Sequence, residues 1–481
     1  MYSNSKNIFI PLITGLIAII IYFIGICAIE KINFGMNRLE EISLYLNWIG
    51  IFILLYVILT NYIINRDIIT PYNIFWIFFF LFNYGQQFMW AFGIHSDKEL
   101  GIGYTAGIGT VMLHNIVKGQ LFTCICMFLF HTGAMFSYKW KGKNNIENYE
   151  IKNKSIFITG IILGILSIIP TLYRSFNFFI VSRQYGYNAL YYSDNISQGG
   201  ILMILEIFFF PSLICIILGG KKNAKKFAIC IFAIYLILNL LSGDRGSWIY
   251  KLLALIWFMN RYYSKINFKK FIKYILIFYI FMYILDFIIY FRDLGISNID
   301  IDKIKIFLLN YESPIIKTIF ELGGSIGIIS TMFTMPNVLE VWNFGNSYLT
   351  SILGVVSTRF LSVLGIPFIL LDNWFSQDFL GISWGAGFSM IGEAYLNGGI
   401  YIGPIIILLI GWIIGSILYD NKEYNPKFNK LRYIMITLTL AIIPGLSRGS
   451  TYLFLKNWFY GCLVVLFLIV LIDKILIKDK M

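Results

Sequence analysis

The chain has 481 residues, 58% of them hydrophobic and 13% charged, with a mean hydropathy of +0.75. That leaves too little polar surface to close a water-soluble globule, which excludes a soluble enzyme or nucleic-acid-binding domain and requires an integral membrane protein. The net charge of +13 is carried by lysines that collect in alternate polar breaks, as cytoplasmic loops do.

Apolar runs of about 17–25 residues, long enough to cross a hydrocarbon core of about 30 Å, recur throughout. The expected spans are 8–29, 44–64, 72–92, 119–138, 156–172, 201–219, 227–242, 247–260, 272–291, 399–418, 431–447 and 453–473. They predict an all-α polytopic membrane protein of about twelve transmembrane helices, or about fourteen if 313–334 and 348–371 also cross. Residues 1–481 read as a single polytopic domain. The first run, Ile8 to Ile29, exceeds a signal-peptide core and lacks a small-x-small cleavage pattern before Glu30-Lys31, so it is read as a retained helix.

With a cytoplasmic N-terminus, the clusters 139–155, 221–226 and 261–273 all fall inside, and the C-terminus is cytoplasmic too. Arginine behaves differently. Of ten arginines, Arg38, Arg174, Arg183, Arg245, Arg292, Arg359 and Arg448 fall on the extracytoplasmic side, where positive charge is normally depleted. Such arginines are ordinary when they make surface ion pairs. They are also the side chains of choice for holding phosphate, because the guanidinium is a rigid fork that stays charged.

In chain order, YGYNALYYSDN offers Tyr187, Tyr191 and Tyr192 as aromatic faces and hydroxyls for sugars, although tyrosine is also normal at membrane interfaces. Glu206 and Asp286 fall within expected spans, where a carboxylate either pairs with a neighbouring helix or marks a site. LSGDRGSW, 241–248, interrupts an apolar run with Asp244-Arg245. Its glycines and serines suit a tight turn with its charges in water. The flanking spans are short, however, which would place the charged pair below the membrane surface and mark a cavity or site.

Residues 292–398 form the longest break in the span pattern and are expected to be a large extracytoplasmic loop carrying amphipathic or re-entrant helices. Asp300-x-Asp302 has the spacing of a metal-binding DxD, which a solvated loop explains equally well. Glu393, in MIGEAYLNGGIYIG, is an isolated carboxylate, either an ion-pair partner of the arginines or a general base. Arg448, in PGLSRGS, repeats the small-residue setting of Arg245. His95, His114 and His131 are widely separated, and all six cysteines lie in apolar runs, so no metal site or disulfide framework is expected. Neither a P-loop nor a dinucleotide fingerprint is present, and no cofactor is expected.

The many spans, the GDRG turn at Gly243–Gly246, the large late loop and the EAYLNGGIYIG entry at Glu393–Gly403 resemble the O-antigen polysaccharide polymerase, or Wzy, family, most strongly over about residues 230–460. The resemblance implies a GT-C-like helical glycosyltransferase that joins undecaprenyl-pyrophosphate-linked oligosaccharide repeat units into O-antigen or capsule at the extracytoplasmic face of the bacterial cytoplasmic membrane. It carries over to Arg245, Glu393 and, through LSRGS, Arg448. The R-x10-G loop motif of some members is absent, so Arg183, Arg292 and Arg359 rest on charge and position alone.

The expected chemistry is metal-independent and inverting. Arg245, Arg448, Arg292, Arg359 and Arg183 would face the lipid pyrophosphate, while Glu393 or Asp244 would act as base. Expected partners are the lipid-linked glycans, membrane lipids, a chain-length regulator and a flippase; nucleic acid is not among them. The alternatives are an O-antigen ligase, which is associated with a histidine in the large loop that this chain lacks, and a lipid-linked oligosaccharide flippase, whose charges should line a central pathway instead of gathering at helix ends.

Overall fold

The computed structural model describes residues 3–96, 99–100, 111–140, 151–185, 201–242, 246–263, 313–334, 342, 345–382, 385–420 and 429–478, with isolated positions between 273 and 305. Every element among the described residues is helical. Among the described residues, ten helices are long and apolar enough to cross a membrane: Phe9–Lys31, Met36–Asn65, Leu113–Tyr138, Asn153–Gln184, Ile201–Gly219, Lys222–Ser242, Ile315–Thr334, Met390–Leu418, Lys430–Arg448 and Thr451–Ile477. The chain is thus a multi-pass membrane protein.

Nine of the ten were expected from hydropathy, and Ile315–Thr334 joins them from within the long break. Three expected spans are not among the ten. Residues 71–90 are helical, but Asn73, Asn83, Gln86 and Gln87 dilute their hydropathy. Ser247–Tyr262 is helical over 16 residues, shorter than a span needs. Most of 272–291 lies outside the described residues.

The chain groups into two compact units. The first comprises Met1–Ile146, Thr318–Glu423 and Ile443–Lys456. Its elements include α1 (Ser3–Lys31), α2 (Met36–Asn65), α3 (Pro71–Trp90) and α4 (Leu113–Trp140). The second comprises Glu147–Lys317, Tyr424–Ile442 and Asn457–Met481. It contains α5 (Asn153–Tyr185), α6 (Ile201–Ile207), α7 (Phe209–Gly219), α8 (Lys222–Ser242) and α9 (Ser247–Tyr262). Next come α10 (Pro314–Leu322), α11 (Ser325–Thr334), α12 (Ser347–Gly354), α13 (Thr358–Val363) and α14 (Leu371–Asn373), the last followed by a π-helical turn, Trp374–Phe379. Then follow α15 (Met390–Leu418), α16 (Lys430–Leu440), a 3₁₀ turn at Ile443–Arg448, α17 (Thr451–Trp458) and, after a π-helical stretch, α18 (Val465–Lys478).

In the first unit α4 is the central helix, packed against α1, α2, α11 and α15. Small residues permit its closest crossing. A Cβ at Gly133 would lie 2.0 Å from the Leu408 carbonyl oxygen, and one at Gly411 would lie 2.1 Å from that of Phe130. In lipid, where helices gain little from hiding apolar surface, such close backbone approach supplies the packing. The outer faces are apolar: Leu16 and Phe23 on α1, Phe52 and Leu59 on α2, and Leu409 and Ile413 on α15 are exposed. Among buried polar side chains, His131 is satisfied from both sides. Thr60 Oγ1 donates to the Tyr56 carbonyl at 2.7 Å, so it accepts from His131 Nε2 at 2.8 Å, and Nδ1 accepts from the Tyr72 hydroxyl at 3.0 Å. The histidine is a core hydrogen-bonding residue.

The cap of α15 explains where that helix starts. Ser389 is its N-cap, with Oγ accepting from the Ile391 and Gly392 amides. The helix is broken at Gly399 (φ 58°, ψ −157°), five residues before Pro404, which has no amide hydrogen to donate back to the preceding turn. Glu393 and its neighbours therefore sit on a short segment angled away from the membrane-length remainder.

In the second unit α5 packs on α7, α8 and α18, and α9 packs on α16. Helix α8 ends at Ser242 and α9 begins at Ser247. Gly243, Asp244 and Arg245 themselves lie outside the described residues.

Candidate active site

Asp244, Arg245, Arg292, Tyr187, Tyr191 and Tyr192 all fall outside the described residues. The structure does place Glu393, Arg448, Arg359 and Arg183. It brings the first two together and adds a carboxylate, Asp372.

Glu393 lies one turn into α15 and is fully buried. Both of its oxygens are occupied: Oε1 accepts from Ser347 Oγ at 2.7 Å, and Oε2 accepts from the Thr451 amide at 2.8 Å. Ser347 is the first residue of α12 and Thr451 the first of α17, so the carboxylate meets the donor-rich ends of two helices. Asn397, one turn further along α15, completes the grip. It accepts from the Ser347 amide at 2.9 Å and donates to Ser347 Oγ at 2.8 Å and to the Glu393 carbonyl at 2.7 Å. An i, i+4 pair on one helix face thereby clamps a helix from the long break against the residues following Arg448. Tyr348 stands beside this clamp, and burial, followed by the nearby Glu393 charge, pushes its hydroxyl well above the ordinary tyrosine range. It remains neutral at physiological pH.

Arg448 ends the 3₁₀ turn with an exposed side chain. Its carbonyl accepts from the Phe388 amide at 3.2 Å, tying the arginine turn to the residues that lead into α15. Its Nε lies 3.7 Å from the position a Cβ would take on Gly387, whose φ of +75° suits glycine. Asn83 on α3 reinforces the junction: its Oδ1 accepts from Ser389 Oγ at 3.0 Å and its Nδ2 donates to the Ser447 carbonyl at 3.5 Å.

Asp372 opens α14 and is half-buried, with Oδ1 enclosed and without a hydrogen-bond partner. Burial pushes its carboxyl up to about 6, against the opposing pull of Arg448. Its charge also reaches Glu393. The segment is fixed by Ser376 Oγ, which donates to the Asp372 carbonyl at 2.7 Å and accepts from the Ala386 amide at 2.9 Å. The Phe375 ring packs edge-on against Phe388 at 5.7 Å. Two stretches far apart in sequence, 371–397 and 443–451, thus present two carboxylates and one arginine together.

Arg359 is exposed on α13, and none of the contacts of this cluster involves it. Arg183 belongs to the second unit, exposed at the end of α5 with its guanidinium 5.4 Å from the Phe179 ring centre.

The second unit holds a polar cluster of its own. Arg174 on α5 pairs with Glu206 on α6, and the charge of Lys251 on α9 reaches the same carboxylate. Lys251 Nζ donates to the Tyr235 hydroxyl at 2.9 Å, and Asn239 donates to Ser175 Oγ at 3.1 Å, just before α8 ends. Glu206 is therefore an ion-pair partner, one of the two roles open to it in the sequence, and Lys251 lies near the start of α9.

No group of three or more His, Cys, Asp or Glu suited to a metal occurs among the described residues. Asp372 is the residue that sequence reasoning missed. It closes the apolar run Ile366–Leu371, and an isolated carboxylate in such a setting is the same signal that singled out Glu393.

No curated protein and no solved structure matches the chain. The model of the O-antigen polysaccharide polymerase Wzy family matches residues 8–480, nearly the whole length. With its multi-pass helical fold, the chain belongs to the O-antigen polysaccharide polymerase Wzy family.

Proposed function

We propose that this protein joins undecaprenyl-pyrophosphate-linked oligosaccharide repeat units into a surface polysaccharide, O-antigen or capsule, at the extracytoplasmic face of the bacterial membrane. The observation that carries this reading is the family match over residues 8–480. The cluster of Glu393, Asp372 and Arg448 suits the chemistry. An acceptor hydroxyl displaces the lipid pyrophosphate from the anomeric carbon of the growing glycan, inverting that centre. Charge grows on the leaving pyrophosphate, and fixed cations facing it lower the barrier. Arg448 and Arg245 are the proposed pyrophosphate contacts; Arg292, Arg359 and Arg183 add positive charge on the same membrane side; Tyr187, Tyr191 and Tyr192 supply faces for sugar rings. Glu393, with both oxygens bonded, acts by positioning α12 and the Arg448 turn. A flippase would deliver the repeat units and a chain-length regulator would set when extension stops.

Deleting the gene is expected to leave the host with surface glycan one repeat unit long, and restoring it returns the polymer ladder on a gel. Complementation with Arg245→Lys, which keeps the charge but loses the planar fork, is expected to leave the protein in the membrane and the ladder absent or sharply shortened. A ladder of normal length in the deletion strain contradicts the function, and a normal ladder with Arg245→Lys contradicts that residue's role alone.

A further inference from the structure

We infer that Asp372 is the group that takes the proton from the acceptor sugar hydroxyl, with Arg448 beside it facing the departing pyrophosphate. This rests on the polymerase reading above and assigns its base.

The two carboxylates differ in how far each is free to act. Glu393 is enclosed and spends both oxygens on Ser347 and Thr451. Asp372 is partly open, and its Oδ1 has no hydrogen-bond partner. A buried acceptor left unmatched is costly, and binding a reacting group is one reason for a protein to keep it. The backbone around it is not free to relax: Ser376 bridges the Asp372 carbonyl to the Ala386 amide, and Phe388 joins the same segment to the Arg448 carbonyl. The exposed Arg448 guanidinium is thereby held where its charge acts on Asp372, a base beside a cation.

The step balances without a further reactant. The acceptor hydroxyl oxygen bonds to the anomeric carbon while its proton passes to the Asp372 carboxylate. The bond from that carbon to the pyrophosphate oxygen breaks, and its electron pair leaves with undecaprenyl pyrophosphate, whose new charge faces Arg448. Asp372 then returns its proton to water.

Among the described residues, the charged groups facing Asp372 are Arg448 from the 3₁₀ turn and Glu393 from α15, while Asp378 on its own segment is exposed. A guanidinium carries its charge at all working pH values. With the carboxyl pushed up to about 6, the base form is present above that pH and is lost as pH falls through it.

The test is the single-turnover rate of the purified full-length protein in lipid nanodiscs between pH 5 and 8. The probe is undecaprenyl-pyrophosphate-linked single repeat units extracted from the gene-deleted host. Wild type is expected to lose rate about tenfold per pH unit below its acid limb, and Asp372→Asn to lose about 100-fold or more with no limb remaining. Asp372→Glu is expected to restore the limb, and Glu393→Gln to keep it. A wild-type rate flat from pH 5 to 8 overturns the assignment without any variant. So does an acid limb that survives Asp372→Asn and disappears in Glu393→Gln. Wild-type protein that makes no polymer from the probe contradicts the proposed function instead, which separates the two failures.

Discussion

Replacing Arg448 by alanine is expected to slow chain extension by about 10²–10³-fold, the usual cost of removing one preorganised donor from a developing negative charge. The loss should fall on kcat more than on KM, because the leaving pyrophosphate carries more charge in the transition state than in the bound donor. The fold should be spared. Residue 448 holds the surrounding structure through its carbonyl, which accepts from Phe388 and which alanine retains, while the side chain is exposed. Arg448→Lys should recover part of the rate, since charge returns without the fork. Extension kinetics paired with a thermal melt of the detergent-solubilised protein check this. A rate within about threefold of wild type, far less than this term is worth, contradicts the assignment.

Replacing Glu393 by leucine is expected to act the other way, on stability first. The Thr451 amide and the Ser347 hydroxyl would remain buried without an acceptor, each costing about 1–3 kcal/mol, so the loss is roughly 2–6 kcal/mol. Much of the stability of an ordinary domain would be gone, and the variant should melt far below wild type or fail to purify as a single species. Glu393→Gln keeps one good acceptor and should fall between the two. An unchanged melting temperature for Glu393→Leu contradicts the clamp.

What was legible in the sequence, and what was not, follows from how far apart the interacting residues are. Membrane helices are encoded locally, in runs of apolar residues, and nine of the ten membrane-length helices stand where hydropathy places them. Helix α3 was harder. Residues 72–92 read as a span; residues 71–90 are helical, but Asn73, Asn83 and Gln86 serve as buried ties to other elements and dilute the hydropathy. The isolation of Glu393 was visible, but its work was not, because its two partners lie 46 and 58 residues away. Asp372 carries the same local signal and was passed over, because its significance comes from Arg448, on a turn 76 residues later. Arg359 and Arg448 looked alike by charge and expected side, and only the fold separates them: Arg448 joins the carboxylates, and Arg359 stays exposed on α13.

The second unit offers a parallel. Arg174 stood among the outer arginines and Glu206 among the intramembrane carboxylates, each unremarkable alone. Their pairing, with Lys251 adding its charge, builds a polar cluster among α5, α6 and α9. A paired charge within apolar surroundings is less costly than an isolated one.

The most direct test of the account is reconstitution. The purified full-length protein in liposomes, given undecaprenyl-pyrophosphate-linked single repeat units and no other protein, is predicted to yield a ladder of longer glycans still attached to the lipid pyrophosphate, with one undecaprenyl pyrophosphate released for every repeat added. Repeat units left unchanged, or glycan transferred only to an added lipid A core without lengthening, would contradict it.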